Sequence, residues 1–383
     1  MAGSAERACM KRLFVISLVL LNALPLAVIG QSQQRRTSAA KKRLASTRKT
    51  VPAVDPTIGD NIDGDDLTIR RAAVSALGGY AGSVVVVDPA NGRILSMVNQ
   101  KLALQTGFIP CSTIKLVTSL AALTENVVSK NTSVYISRYA SYNMTQALAR
   151  SNNQYFNILG RRLGFDRVHH YAQMLGFGEK AGLDIAGEQP GVLPETEPAT
   201  GVGMMTSFGT GISMTPLELA GLLGAIANGG TLYYLQYPQT QDDADHFAPQ
   251  VKRQLELAPN GIEDIKFGMR GAVDFGTARR AGYDASEPIL GKTGTCTDFQ
   301  SSNKMGWFGS FNEVGTHRLV VVVMLTGHSN VSGPVAAGVA GALYRNLSSQ
   351  HYFVADADAG KKKSDLPEII TTMPCCITTA HQH

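Results

Sequence analysis

The sequence predicts a mixed α/β (α+β) fold in which one sheet combines both ends of a single domain. Three observations predict it. A strand–turn–strand pattern runs from Gly82 to Val98, two more strand patterns cover 305–311 and 318–325, and the stretch between them is rich in helical signals. The 383 residues are 44% hydrophobic and 17% charged, enough apolar content to bury a sizeable core. From about Leu67 to Leu347 no repeat or low-complexity break intervenes, so 67–347 is taken as the folded domain.

The elements follow in order. The Val84–Val87 run, the turn Asp88-Pro89-Ala90-Asn91-Gly92 and residues 93–98 form a hairpin pattern. Residues 112–124 are helical in pattern with Ser112 in the first turn, and 145–160 and 167–175 are read as further helices. Pro216 to Asn228 is a strongly apolar helix, opened by Thr215 as N-cap with Pro216 at the first helical position and closed by Gly229-Gly230. Residues 334–347 make the closing helix.

The net charge of +5 sits in the N-terminal arm. Residues 1–50 carry ten Lys/Arg against Glu6 alone, whereas 51–383 carry 25 basic and 29 acidic residues. The domain therefore gives no reason to invoke nucleic acid as a partner. Lys11 and Arg12 precede a largely apolar run from Leu13 to Ile29 that contains Ser17, Asn22 and Pro25, and Met10 could equally start this export signal. Val28 and Gly30 suit a signal-peptidase site before Gln31, and the run is nearly long enough for an uncleaved anchor. Residues 1–30 are read as a signal peptide or signal anchor, which places the domain outside the cytoplasm: periplasmic, or on the outer face of the membrane.

Residues 31–66 are read as a basic, polar linker. Its Arg35, Arg36, Lys41, Lys42, Arg43, Arg48 and Lys49 also suit anionic lipid or wall polymer. Residues 348–383, with Lys361-Lys362-Lys363, are read as a mostly disordered tail in which His381 and His383 are incidental. No metal-ligand spacing or cofactor motif is found, so no metal or cofactor is expected.

Three short strings carry the chemistry: Ser112-Thr113-Ile114-Lys115, Ser151-Asn152-Asn153 and Lys292-Thr293-Gly294-Thr295. A Ser-x-x-Lys match is expected about once by chance in a chain of this size, and a Ser-x-Asn string is common in caps and turns. Their order and context give them weight. Ser112 at a helix start meets outward N–H groups and a dipole that favours developing negative charge. Lys115 lies one turn on and can take the serine proton if burial and a second cation, Lys292, lower its pKa. Ser151 can relay a proton to a leaving amine, and Asn153 can bond the lysine and a substrate carbonyl. The Lys292–Thr295 segment suits an edge strand, with Gly294 removing a side chain that would block close approach. Lys292, Thr293 and Thr295 can hold a carboxylate, and the N–H groups of Ser112 and Thr295 can form an oxyanion hole.

With these strings, the chain resembles the transpeptidase domain of penicillin-binding proteins over about residues 80–347. The resemblance extends to Val84–Pro89 with Gly92–Leu95, Asn153–Phe156, Leu175–Gly178, Gly187-Glu188 with Gly191–Pro194, Thr215–Ala220, Ala227–Gly230, Gly276–Ala278 and Gly306–Phe308. It implies the β-lactamase/transpeptidase-like fold, an antiparallel sheet packed by helices plus an all-helical subdomain, with the site in the cleft between them. Larger family members carry a glycosyltransferase or pedestal module first, and residues 1–66 leave no room for one. The short spacing from Ser112 to Ser151 suggests a trimmed helical lobe and a more open cleft.

If Ser112 and Thr295 share an oxyanion hole, their outward neighbours Cys111 and Cys296 come close, and an exported protein meets oxidising conditions. A Cys111–Cys296 disulfide is therefore expected; carbapenem-hydrolysing class A β-lactamases bridge the same motif-relative positions. The activity implied is a D,D-transpeptidase or D,D-carboxypeptidase acting on peptidoglycan stem peptides. β-Lactam antibiotics are a second class of ligand, and a membrane glycan polymerase is a candidate partner. The alternative is a serine β-lactamase, but the Glu-x-x-Leu-Asn string of class A is absent, and Glu188 sits in another context. A β-lactam sensor ranks last, because only one apolar run exists.

Overall fold

The computed structural model describes residues 55–354 apart from 56, 106, 299–301, 314 and 316. The export segment 1–30, the basic part of the linker and the tail from 355 lie outside the described residues. Among the described residues the helices are α1 (Leu67–Leu77), α2 (Gln100–Ala103), α3 (Lys115–Thr124), α4 (Met144–Ala149), α5 (Asn153–Leu163), α6 (Phe165–Met174), α7 (Val202–Phe208), α8 (Pro216–Asn228), α9 (Gln241–Asp245), α10 (Gly261–Asp274) and α11 (Gly333–Ser349). The strands are β1 (Gly82–Val87), β2 (Ile94–Val98), β3 (Val134–Ser137), β4 (Ala140–Tyr142), β5 (Thr231–Tyr233), β6 (Val251–Gln254), β7 (Ile289–Thr297), β8 (Lys304–Asn312) and β9 (Val320–Gly327).

The main sheet is antiparallel throughout, in the order β2-β1-β9-β8-β7. The C-terminal strand β9 pairs with β1, so the two ends of the domain meet in its centre, as the sequence pattern predicts. The period-two rule explains the packing of the two valine runs. Val84 and Val86, registered against Val323 and Val321, face a core made with Ile69, Ala73 and Leu77 of α1 and Ala336, Ala340 and Leu343 of α11. Val85 and Val87, registered against Val322 and Val320, face a second core with Leu217, Leu219, Leu223 and Ile226 of α8. Both faces are covered, so these strands read as unbroken apolar runs rather than alternating ones.

Helix α8 is buried on nearly every side because it lies between the sheet and the helical lobe, and its apolar residues face both. Its start is the predicted one: Thr215 Oγ1 accepts from Glu218 N (3.0 Å), and Glu218 accepts back from Thr215 N (2.7 Å). Between Ser112 and Ser151 the chain holds only α3, the β3–β4 ribbon and α4, so the lobe carries a small ribbon besides its helices.

Two corrections concern the domain limits. Residues 57–66 are tied into the fold: Asp60 and Asp65 pair with buried Arg70 (2.7 and 3.0 Å), Tyr237 OH donates to Asp65 (2.7 Å), and Asp66 caps α1. At the other end α11 runs to Ser349, Phe353 is buried, and Tyr352 OH donates to Asp66 (3.1 Å). The limits 67–347 are too tight because polar residues that look like linker in sequence are satisfied by tertiary partners.

Leu219→Ala removes a fully buried side chain between α8 and the sheet. We expect a loss of about 2–5 kcal/mol in unfolding free energy, read by urea denaturation; a loss below about 1 kcal/mol would mean that this contact does not hold lobe and sheet together.

Candidate active site

The nucleophile turn is built where the helical lobe meets the sheet. Cys111–Ile114 form a 3-10 turn that runs into α3 at Lys115, which puts Lys115 one turn beyond Ser112 and fully buried. Cys111 has φ 52°, a left-handed conformation that costs a non-glycine residue of order 1–3 kcal/mol. The turn is held from behind: Trp307 Nε1 donates to Ile109 O (3.0 Å), and Phe108 exchanges backbone bonds with Met214 (2.8 Å each).

Ser151 lies just past the end of α4. The N–H of Ser151 returns to Leu148 O (3.1 Å) and that of Asn152 to Ala147 O (2.9 Å), the paired bonds of a Schellman cap. Glycine usually fills this left-handed position; here Ser151 does, with φ 52°. Asn152 Oδ1 then accepts from Tyr155 N (2.8 Å) and starts α5, whose first residue is Asn153. The helical stretch over 145–160 is two helices, α4 and α5, with the string between them, because its side chains cap and interrupt it. Gly276 is required beside this cap: a Cβ there would lie 2.0 Å from Ala149 O, and Thr277 N donates to the same oxygen (3.1 Å).

Strand β7 is the sheet edge the sequence reading expected, and strand alternation sorts its residues. Lys292, Gly294 and Cys296 face the nucleophile turn. Lys292 Nζ donates to Ser151 Oγ (2.9 Å) and Thr293 O (2.9 Å). A Cβ on Gly294 would lie 2.9 Å from Pro110 O and 3.3 Å from Cys111 Cβ, so this glycine clears the nucleophile turn itself. Cys296 forms a disulfide with Cys111, with Cα atoms 5.6 Å apart. Thr293 and Thr295 point to the other face. Thr293 Oγ1 lies 2.6 Å from Thr277 Oγ1, and Thr295 Oγ1 accepts from Gly333 N (2.7 Å).

Lys115 Nζ lies 2.5 Å from Ser112 Oγ and donates to Asn153 Oδ1 (2.8 Å) and Ser207 O (2.7 Å). Phe156 and Phe208 flank it, their ring centres 5.7 and 5.8 Å away. Burial first, and the positive charge of Lys292 second, hold the Lys115 pKa well below its ordinary value. Burial brings Lys292 down to about 7. Among the described residues no carboxylate pairs with either lysine. The contacts suit a neutral amine: two N–H groups meet two carbonyl acceptors, and the lone pair is left for the Ser112 hydroxyl.

Ser112, Lys115, Ser151, Asn153 and Lys292 are therefore brought together. Sequence reasoning missed Ser207, Phe208 and Thr277 as neighbours of the site. Ser207 acts through a backbone carbonyl, which has no side-chain signature. Thr277 stands in the noticed Gly276-Thr277-Ala278 string, but nothing in sequence links it to Thr293. Glu188 is not part of the lysine network: its carboxylate accepts from Ala181 N (2.8 Å) and Gly182 N (3.0 Å), and burial raises its pKa.

An antiparallel sheet packs beside a helical lobe, and a serine beside a buried lysine lies where the two meet. The chain belongs to the penicillin-binding protein transpeptidase domain family, whose family model matches residues 82–345. Stage V sporulation protein D of Bacillus subtilis is 28% identical over 312 residues, covering 68% of this chain and 48% of that protein. Peptidoglycan D,D-transpeptidase MrdA of Haemophilus influenzae is 24% identical over 357 residues, covering 72% and 54%. The chain thus spans about half the length of these relatives. Among solved structures, PBP2 of Pseudomonas aeruginosa in complex with WCK 5153 is similar with a TM-score of 0.67 and 25% identity, covering 77% of each chain. The transpeptidase domain of Burkholderia pseudomallei penicillin-binding protein 3 has the same fold, with a TM-score of 0.64, 21% identity and coverage of 75% and 96%.

The buried cation has a stability signature. Lys292 titrates near 7 in the fold against an ordinary value of 10.5, so between these values the unfolded chain binds more protons and stability rises with pH. The penalty is full below pH 7 and gone above about pH 10. Lys292→Met is expected to raise Tm at pH 6, with a gain that shrinks toward pH 10. Calorimetry at both pH values checks this, and a lower Tm at pH 6 would contradict the buried-cation account.

Proposed function

We propose that this chain is a penicillin-binding serine D,D-transpeptidase or D,D-carboxypeptidase that acts on peptidoglycan stem peptides through an acyl-enzyme on Ser112. The observation that carries the reading is the setting of Lys115: fully buried, facing two carbonyl acceptors, with Ser112 Oγ 2.5 Å from its amine. In this reading neutral Lys115 takes the Ser112 proton as Oγ attacks the carbonyl of the penultimate D-alanine. The N–H groups of Ser112 and Thr295 receive the oxyanion. Lys292, on the face of β7 toward the nucleophile turn, is the cation that meets the terminal carboxylate, while the Thr293 and Thr295 hydroxyls stay on the opposite face. Ser151, bonded to Lys292, passes the proton to the departing D-alanine amine, and an amine or water then takes the acyl group.

β-Lactams enter the same site as acylating analogues of the substrate. A class A β-lactamase needs a carboxylate beside the acyl-serine, and Glu188 is committed to backbone N–H groups elsewhere. A carboxylated Lys115 would turn oxygens toward Asn153 Oδ1 and Ser207 O, acceptor against acceptor. The peptidoglycan substrate and the export signal in residues 1–30 support a location outside the cytoplasm. Among the described residues no helix is long and apolar enough to cross a membrane. A membrane glycan polymerase is the natural partner for the cross-linking form of the reaction.

Intact mass spectrometry with benzylpenicillin tests the reading. The chain should form a long-lived adduct that Ser112→Ala abolishes; rapid drug turnover with only a fleeting adduct would instead make it a β-lactamase. The pH dependence follows from the lysine pair. Only neutral Lys115 accepts the proton, so acylation rises with pH along an acid limb, and the limb belongs to the pair rather than to either residue. Lys292→Gln removes the cation that depresses Lys115, so the limb should move to higher pH in a pH–rate profile. A shift to lower pH would rule out Lys115 as the base.

A further inference from the structure

The disulfide sits closer to the chemistry than stability alone requires. It joins the residue before Ser112 to the residue after Thr295, so each half is one peptide from a proposed oxyanion donor. Other bonds hold these two segments from behind. The nucleophile turn is fastened to β8 through Trp307, and β7 is fastened on its far face through Thr293 and Thr295. Among the described residues no hydrogen bond joins 110–114 to 293–297. Their link is the packing of Gly294 against Pro110 and Cys111, together with the covalent bond. Cys111 is also held at φ 52°, a conformation it can relax once released.

We propose that the Cys111–Cys296 disulfide positions the oxyanion donors, so that the oxidised chain acylates fast and the dithiol form slowly. The inference rests on the Ser112 acyl-enzyme reading. Its chemistry needs an external dithiol. One thiolate attacks Sγ of the half-buried Cys296, and fully buried Cys111 leaves as a thiolate that takes a proton. The second thiol then attacks the reductant's own sulfur in the mixed disulfide, which frees Cys296 as a thiol and releases the reductant as a cyclic disulfide. Two electrons and two protons pass from reductant to protein. An exported chain would gain its fast form only on reaching an oxidising compartment.

Removing one oxyanion donor costs about 10²–10³ in rate, so misaligning it is expected to cost about 10–100-fold. The test follows benzylpenicillin adduct formation against drug concentration for four samples of the full chain: oxidised, reduced with dithiothreitol and freed of reductant under argon, re-oxidised, and Cys111→Ser/Cys296→Ser. Circular dichroism of each sample monitors folding. The reduced chain and the double variant should stay folded and lose maximal acylation rate by about 10–100-fold. The half-saturating concentration and the acid limb should stay in place, because the lysines are untouched, and re-oxidation should restore the rate. An undiminished rate in the folded, reduced chain overturns the proposal, as does a loss that appears only as unfolding. If the oxidised chain forms no Ser112 adduct, the acyl-enzyme reading itself fails.

Discussion

Among the described residues, two buried lysines face one site with no carboxylate paired to either, and the rest of the site is arranged around that electrostatic constraint. A buried ammonium is costly, and a second one nearby raises the cost, so the fold favours giving up a proton. Carbonyl acceptors on Asn153 and Ser207 accommodate the resulting amine without restoring its charge by ion pairing. A carboxylate in their place would raise the pKa and remove the base. The two-sided core of the sheet and the buried helix α8 supply the stability that such a site subtracts.

Strain gathers at the same place. Cys111 and Ser151 both occupy left-handed backbone that favours glycine, and each is adjacent to, or is itself, a hydroxyl of the site. At Ser151 the Schellman cap would be satisfied more cheaply by glycine, but glycine has no hydroxyl to meet Lys292. Gly276 and Gly294 play the opposite part: without side chains, Gly276 lets the segment after α10 close on the α4 cap, and Gly294 lets β7 approach the nucleophile turn. Small and large residues are exchanged between these positions so that three distant segments converge within hydrogen-bond reach.

Much of this was legible in sequence. The hairpin at 82–98, helix α8 with its Thr215 cap, and the two-ended sheet follow from local rules of periodicity and capping. The three strings marked the segments that meet. Helix α7 escaped notice because it is short and bounded by Gly201 and Gly209, which read as loop. Helix α10 was missed as well, though it packs beside the α4 cap through small residues such as Gly271.

By itself, the sequence determined the opening hairpin, helix α8 and which residues carry hydroxyl, amine and thiol, since those depend on local backbone preference and side-chain chemistry. The tertiary structure decided what these groups are to one another. It selected which carbonyls face Lys115, placed Gly294 against the nucleophile turn, and turned the Thr293 hydroxyl toward Thr277. It also drew residues 57–66 and 350–354 into the fold. Burial, and with it the protonation of the two lysines, is a property of packed neighbours distant in sequence, so only the folded chain could set it.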